Sequence, residues 1–330
     1  MKAIAIFNHG QSDVFREIET ASPTARSGHV VIDVKATSVN PVDTKIRNGS
    51  EGTDGLSFPA ILHMDVSGVV SSVGEGVSKF KVGDEVYGCV GGIVGIPGAL
   101  AEQVEADARL IAHKPASLDF GDAASLPLVA ITAWEALVDR AFIKPGDAVL
   151  VHGGTGGVGH IGLQLAKLMG ARVATTVSTP EKAEIAQSLG ADDVVLYRHE
   201  TPEDYTRRIT DGAGFNTVFD TLGGSVLTNS FTAAKIKGHV ISIIGYDKYD
   251  LTDMHFKALR LDLVFMAVSI IHDLDRSHHG EILRKLSNLV DRGLVKPLID
   301  KRYPFTVEGV KAAHDRLESG AAIGKVIIAR

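Results

Sequence analysis

The chain has one cysteine, Cys89, one tryptophan, and aromatic side chains at only 6% of its 330 positions. A lone thiol excludes an intramolecular disulfide and any cysteine-rich zinc lobe. Positive charge is not in excess either. Thirty-four Lys and Arg stand against 40 Asp and Glu, a formal net charge of −6, so there is no electrostatic footprint for nucleic acid or anionic lipid. Long apolar runs are missing. The longest, around Leu263 to Ile271, falls far short of the ~20 residues that span a bilayer. The opening Met1-Lys2-Ala3-Ile4-Ala5-Ile6-Phe7 lacks the length and cleavage pattern of a signal peptide and reads as a first strand; a cytoplasmic location is expected. With 45% hydrophobic and 22% charged residues, extensive disorder is excluded. Glycine is abundant, at 35 residues, against an average share of about 7%. That points to tight turns and a candidate phosphate loop.

The rhythm changes once along the chain. Up to about residue 120, β-rich runs such as Val30 to Ala36 and Gly68 to Val73 are punctuated by Gly74-Glu75-Gly76 and Val82-Gly83-Asp84, the pattern of a small β-barrel. Beyond it, strands alternate with helices. The spacing predicts helices over Ala123 to Leu137, Val158 to Leu168 and Pro180 to Leu189. Strands are predicted over Ala148 to His152, Val173 to Val177, Asp193 to Tyr197, Thr217 to Asp220, Val240 to Ile244 and, last, Asp262 to Val268. Alternation of this kind implies a parallel, doubly wound sheet buried on both faces. A helix from about Gly280 to Asp291 and a closing strand, Lys325 to Ile328, are expected after that.

Val149-Leu150-Val151-His152-Gly153-Gly154-Thr155-Gly156-Gly157-Val158-Gly159 places G-x-G-x-x-G between a predicted strand and a predicted helix, the context that makes this motif a dinucleotide loop. Gly156 would let the backbone approach a pyrophosphate, Gly159 would let the helix pack on the strand, and the helix N-terminus would supply amide donors. A site for NAD places Asp or Glu about 20 residues on. Here the second strand runs into Thr176-Val177-Ser178-Thr179-Pro180, followed by Lys182. A hydroxyl and an ammonium suit a 2′-phosphate that a carboxylate would repel, so NADPH is the expected cofactor. Lys182 reads equally as a solvated residue of a first helical turn.

These residues sit among others that resemble the medium-chain dehydrogenase/reductase superfamily, in its zinc-free quinone oxidoreductase, or zeta-crystallin-like, branch. The carriers are Ser38-Val39-Asn40-Pro41-Val42-Asp43-Thr44, Asp65-Val66-Ser67-Gly68-Val69-Val70, Phe80-Lys81-Val82-Gly83-Asp84-Glu85-Val86-Tyr87, Leu126 to Trp134, the glycine loop, and Asp220-Thr221-Leu222-Gly223-Gly224. The resemblance covers essentially the whole chain. It implies a GroES-like β-barrel domain from both chain ends (1–122 and 267–330), with a doubly wound Rossmann domain (123–266) inserted and the cofactor in the cleft between them. In zinc-dependent relatives a cysteine stands where this chain has Asn40, and their Gly-His-Glu reads His63-Met64-Asp65. No metal ligand set is therefore expected. His63, one residue early, reads as a loop or cleft histidine.

The resemblance further places Asn40 and Thr132 beside the nicotinamide. Ser178, Lys182 and Tyr197 fall around the 2′-phosphate, and the backbone of Gly245, Phe265 and Met266 near the nicotinamide ribose and carboxamide. Lys325 falls toward the phosphates. Tyr197 also fits a strand-end aromatic packed on the sheet. Lys45 stands where related reductases commonly carry tyrosine, as a proton donor or an exposed lysine. Without zinc to acidify an alcohol, readily reduced acceptors are the expected small-molecule substrates: quinones or α,β-unsaturated carbonyls, with Asn40, Lys45 and Thr132 as candidate catalytic groups. The alternatives are an NADPH-binding protein of low activity with a structural role, and an alcohol dehydrogenase-like activity. The apolar last strand at a sheet edge invites a homodimer.

Overall fold

Short strands separated by tight turns open the chain. β1 (Lys2–Ile6) pairs antiparallel with β2 (Phe15–Glu19). The eleven residues of β3 (His29–Val39) bury Val30, Val31, Ile32, Val34 and Ala36. α1 (Pro41–Asn48) starts where proline's locked φ suits a first turn. It stops at Gly49, whose φ of 85° is the left-handed cap that glycine adopts without penalty. β4 (Asp65–Val73), β5 (Glu85–Cys89), β6 (Gln103–Asp107) and β7 (Ile111–His113) follow. The single helix expected over Ala123 to Leu137 is two: α2 (Phe120–Ala124) and α3 (Pro127–Trp134), the latter running on into a π-helical turn over Glu135–Arg140. The proline explains the break, because in a continuous helix its ring would meet the carbonyl of Ala123.

The middle of the chain alternates strictly: β8 (Ala148–His152), α4 (Gly157–Leu168), β9 (Arg172–Val177), α5 (Pro180–Ser188), β10 (Asp193–Leu196), α6 (Pro202–Thr210), β11 (Phe215–Asp220), α7 (Ser225–Ala233), β12 (Ala234–Ser242), α8 (Thr252–Phe256) and β13 (Arg260–Leu263). The six strands pair in parallel in the order β10-β9-β8-β11-β12-β13. In strand rank this is 3-2-1-4-5-6, the dinucleotide-binding order, with the switch point beside β8. Leu150, Ala174, Val195, Val218 and Val240 carry the apolar core of its central strands. The last strand is shorter than the expected Asp262 to Val268. Its ladder ends at Leu263 opposite Ser242, with one further bond from Val264 N–H to Ser242 O. β12 stops there, so residues beyond Val264 have no strand to pair with, and Ala267 opens a helix.

That helix, α9 (Ala267–His272), is followed by α10 (Arg276–Asp291), β14 (Ile299–Pro304), α11 (Val307–Glu318) and β15 (Lys325–Ala329). α10 buries Ile282, Leu283, Leu286 and Val290 at helical spacing. These segments return to the first part of the chain, giving a sheet ordered β14-β15-β3-β4-β5-β7, with β6 also paired to β3. The computed structural model describes all 330 residues, in two units. One consists of Met1–Leu128, Ala267–Gly293 and Ile299–Arg330, the other of Val129–Met266 and Leu294–Leu298. No helix is long and apolar enough to cross a membrane.

Candidate active site

In the β-rich unit, three strand ends meet. β15 runs antiparallel to β3 with Val326 opposite Val39, which brings Lys325 beside Asn40. β4 flanks β3 on the other side and brings Asp65 to the same place. The result is a buried polar cluster. Asp65 Oδ2 accepts from Ser38 Oγ at 2.7 Å, Asn40 Nδ2 at 2.8 Å and Lys325 Nζ at 3.4 Å, while Oδ1 accepts the Leu128 amide at 2.8 Å. Lys325 Nζ also donates to Val39 O at 3.2 Å and to Asn40 Oδ1. Asn40 N–H donates to Asp43 Oδ2 at 2.7 Å, and the other oxygen, Asp43 Oδ1, has no partner. Burial pushes the Asp43 carboxyl up to about 7 and lowers Lys325, the latter offset by Asp65 and Asp43.

This geometry revises one expectation. An ammonium has three hydrogens, and those of Lys325 go to Val39 O, Asn40 Oδ1 and Asp65 Oδ2, so it does not extend toward a phosphate. Asn40 is fully buried and keeps one unassigned amide hydrogen. Lys45, on α1, pairs with Glu51 at 3.0 Å.

His63 belongs to a second buried chain beside this cluster. Arg47 donates to His314 Nδ1 at 3.4 Å, the two histidines face each other through Nε2 at 2.9 Å, and His63 Nδ1 lies 3.2 Å from Thr37 Oγ1, which donates to Asp65 O at 2.6 Å. Arg47 has only donors, so His314 must carry its proton on Nε2 and His63 on Nδ1. Burial and the Lys325 charge hold His63 down to about 3; burial, His63 and Arg47 hold His314 well below its usual value. Met64 is buried next to it, and no group of three or more His, Cys, Asp or Glu side chains is placed to hold a metal ion. Cys89 is buried, and burial raises its thiol well above the ordinary range.

In the parallel-sheet unit, β8 hands over to α4 through the glycine loop. Gly153 takes φ 69° and accepts the Gly156 N–H at 2.8 Å. A Cβ on Gly154 would sit 2.0 Å from Thr175 Oγ1, and one on Gly159 2.1 Å from Gly153 O. These two glycines are demanded by packing. At Gly156 such a Cβ would meet a single atom within 4 Å, Gly153 O at 3.1 Å, a close contact on one side only. Gly156 is also the N-cap of α4 and brings no side-chain cap. The amides of Gly157, Val158 and Gly159 in the first turn therefore face an anion site unopposed, with Thr155 beside them. The loop fits a pyrophosphate.

Beside it, at the carboxyl ends of the strands, lies a cavity of about 500 Å³ lined by His152 and Thr176 from β8 and β9, Tyr197 to Pro202 after β10, and Leu222, Val226 and Asn229 after β11. This is where a doubly wound sheet binds its ligand. Thr176 Oγ1 accepts the Gly153 N–H at 3.1 Å and lies 3.2 Å from His152 Nδ1. His152 Nε2, at the far side of the ring, has no partner. Burial holds His152 down to about 4, against the opposing pull of Asp220. Tyr197 is half exposed on the cavity wall and carries Arg198 over its ring. Ser178 and Lys182 do not line the cavity; Lys182 N–H caps onto Thr179 Oγ1 at the start of α5. Thr132 is buried on α3, Met266 is buried and Phe265 exposed. Gly245 packs on Leu263, whose Cδ1 would lie 2.7 Å from an added Cβ.

Sequence reasoning missed Asp65, Ser38, His152, Thr176 and Arg198. Asp65 and Lys325 did carry a signal: each is the only charge in its strand and stands at the strand's start, and opposite charges so placed mark a buried pair.

Two family models match the chain, "Alcohol dehydrogenase GroES-like domain" over residues 26–116 and "Zinc-binding dehydrogenase" over residues 189–328. The chain is 36% identical to the NADPH-dependent alkenal/one oxidoreductase of Arabidopsis thaliana chloroplasts, over 99% of this chain and 79% of that one. A crystal structure of an alcohol dehydrogenase superfamily protein from Novosphingobium aromaticivorans superposes with a TM-score of 0.94 at 38% identity, covering 99% of both chains. The Escherichia coli quinone oxidoreductase, solved in complex with NADPH, superposes at 0.89 with 28% identity over 100% of both.

Proposed function

Because the chain belongs to the medium-chain dehydrogenase/reductase superfamily, in its quinone oxidoreductase branch, and is an oxidoreductase, we propose that it is an NADPH-dependent reductase of quinones or α,β-unsaturated carbonyls that works without zinc. The observation that carries the cofactor half is the uncapped start of α4 in the glycine loop, beside a nucleoside-sized cavity. Relatives named for alkenal/one and quinone reduction support the acceptor class.

Bound at the loop, the dinucleotide supplies the hydride, and the protein's share is orientation and charge stabilisation. The α4 amides and the dipole behind them hold the pyrophosphate. As hydride reaches a conjugated acceptor, negative charge collects on its oxygen, where donors held in place lower the barrier. Our candidate for such a donor in the β-rich unit is the remaining amide hydrogen of Asn40. Asp65 and Lys325 grip both ends of the Asn40 amide, so it is oriented before the substrate arrives. The residues do not fit zinc. Met64 offers no strong donor where relatives place histidine, and both His63 nitrogens are spoken for by Thr37 and His314.

The test is a panel assay on chelator-treated protein, following NADPH oxidation with a quinone, an enone and a saturated ketone. Turnover with the conjugated acceptors and little with the ketone is expected. Stoichiometric zinc whose removal abolishes activity, or oxidation of simple alcohols faster than reduction of any conjugated acceptor, would overturn the proposal. We further propose a two-fold homodimer through the free edge of β13.

A further inference from the structure

A buried chain of hydrogen bonds in the β-rich unit ends on the backbone of the residue that grips Asn40. Its outer end is Arg47 on α1. The buried guanidinium donates to Glu318 at 2.7 Å, to Gly10 O at 3.2 Å and to His314 Nδ1 on α11 at 3.4 Å. From His314 the chain passes through His63 and Thr37 to the carbonyl of Asp65. Arg47 can only donate and a carbonyl can only accept. Each of the three groups between them accepts once and donates once, so the proton placement is fixed from both ends. Burial and the Lys325 charge hold His63 neutral down to about 3, and a neutral ring is the form this pattern requires.

His63 takes φ 75°, a left-handed backbone that glycine enters freely and histidine enters at a cost. Its ring is nonetheless fully buried and bonded at both nitrogens, so the strain is borne for the side chain. The β3–β4 ladder, meanwhile, stops at Ala36 opposite Ser67. Asp65 lies beyond it, where the Thr37 hydroxyl holds its carbonyl at 2.6 Å. The same residue accepts the Asn40 amide on Oδ2 at 2.8 Å. We infer that His63 and Thr37 are positioning residues, which fix the main chain at Asp65 and through it the direction in which Asn40 offers its remaining amide hydrogen. This rests on the proposed function, in which that hydrogen meets the oxygen of the acceptor. A misplacement of about 1 Å can cost on the order of 100-fold in rate, so loosening one tether falls on turnover and spares cofactor binding.

The experiment measures kcat and KM with an enone, and the dissociation constant of NADPH, for wild type, Thr37→Val, Thr37→Ser, His63→Gly, Asn40→Ala and Thr37→Val combined with Asn40→Ala. Thr37→Val keeps the shape and removes the hydroxyl. His63→Gly removes the ring and relieves the backbone, a second route to the same break. Each is expected to lower kcat by about 3- to 10-fold with NADPH affinity within about twofold, and Thr37→Ser to recover most of the loss. In the Asn40→Ala background Thr37→Val should cost less than about twofold more, because the group it acts through is gone. A general loosening of the fold would instead multiply the two losses. The inference is overturned if either single variant, once folded, keeps kcat within about twofold of wild type, if NADPH binding weakens as much as kcat falls, or if the two losses multiply. Wild type that reduces no conjugated acceptor removes the proposed function itself. Wild type that does so, with turnover lost in Asn40→Ala and kept in Thr37→Val, removes this inference alone.

Discussion

Three histidines are held neutral by burial, His63 at about 3, His152 at about 4 and His314 well below its usual value. In the unfolded chain each titrates near 6.5. Below that pH the unfolded state takes up protons that the folded state refuses, so stability is full above about 6.5 and falls as pH drops toward 4. Asp43 opposes this. Its carboxyl stays protonated up to about 7 in the fold and ionises near 4 when unfolded, so it contributes most at low pH and loses that as pH rises. Three against one leaves a net loss on acidification, at about 1.4 kcal/mol per pH unit for each uncompensated proton. Urea unfolding at pH 7, 6 and 5 should show a falling midpoint, and His152→Gln a shallower one. A flat midpoint across that range would mean the histidines are solvated. Carboxylates held low, such as Asp107 at about 2, add their losses only in stronger acid.

At the level of elements, the glycine loop separates glycines that the fold needs from one that the ligand needs. Gly159→Ala drives a methyl into Gly153 O, 2.1 Å away. It should lower the melting temperature by several degrees, consistent with roughly 1–3 kcal/mol for overpacking. Gly156→Ala meets nothing closer than 3.1 Å. It should lower melting less than Gly159→Ala does, yet weaken NADPH binding by about 10-fold or more, as an obstruction of ~1.4 kcal/mol or greater. Calorimetry with parallel binding titrations separates the two, and a Gly156→Ala protein that binds normally would deny the loop its role. This loop was fully legible in the sequence because strand, glycine spacing and helix are adjacent in the chain. The Asp65–Lys325–Asn40 cluster was legible only as separate oddities, because its members are joined by strand register across a sequence separation of 260. The end of β13 was misread for a related reason. An apolar run records burial, and whether it pairs as a strand depends on where its neighbour β12 stops.

Over the whole molecule, the proposed homodimer rests on the free edge of β13. Leu263 on that strand and Phe142, Ile236 and Phe256 in the same unit are exposed, and β13 has a partner on one side only. A two-fold axis there would continue the sheet across both copies. Light scattering at micromolar concentration should give twice the chain mass, and Leu263→Lys should shift it toward one. A monomeric wild type would set the dimer aside. A different consequence follows from β15 lying between β14 and β3 in the sheet of the β-rich unit. The ribosome releases Asp65 long before Lys325, with a delay of roughly 10–50 s at about 5–20 residues per second. Throughout that interval the nascent first sheet lacks an interior strand and the one ammonium that balances its innermost carboxylate. Before the interval closes, the parallel-sheet unit, which ends at Leu298, has all of its residues in hand. Synthesis order thus makes the unit encoded in the middle the first that can be finished. A chain stopped a few residues short would leave the other unit with an open seam and an unanswered buried charge.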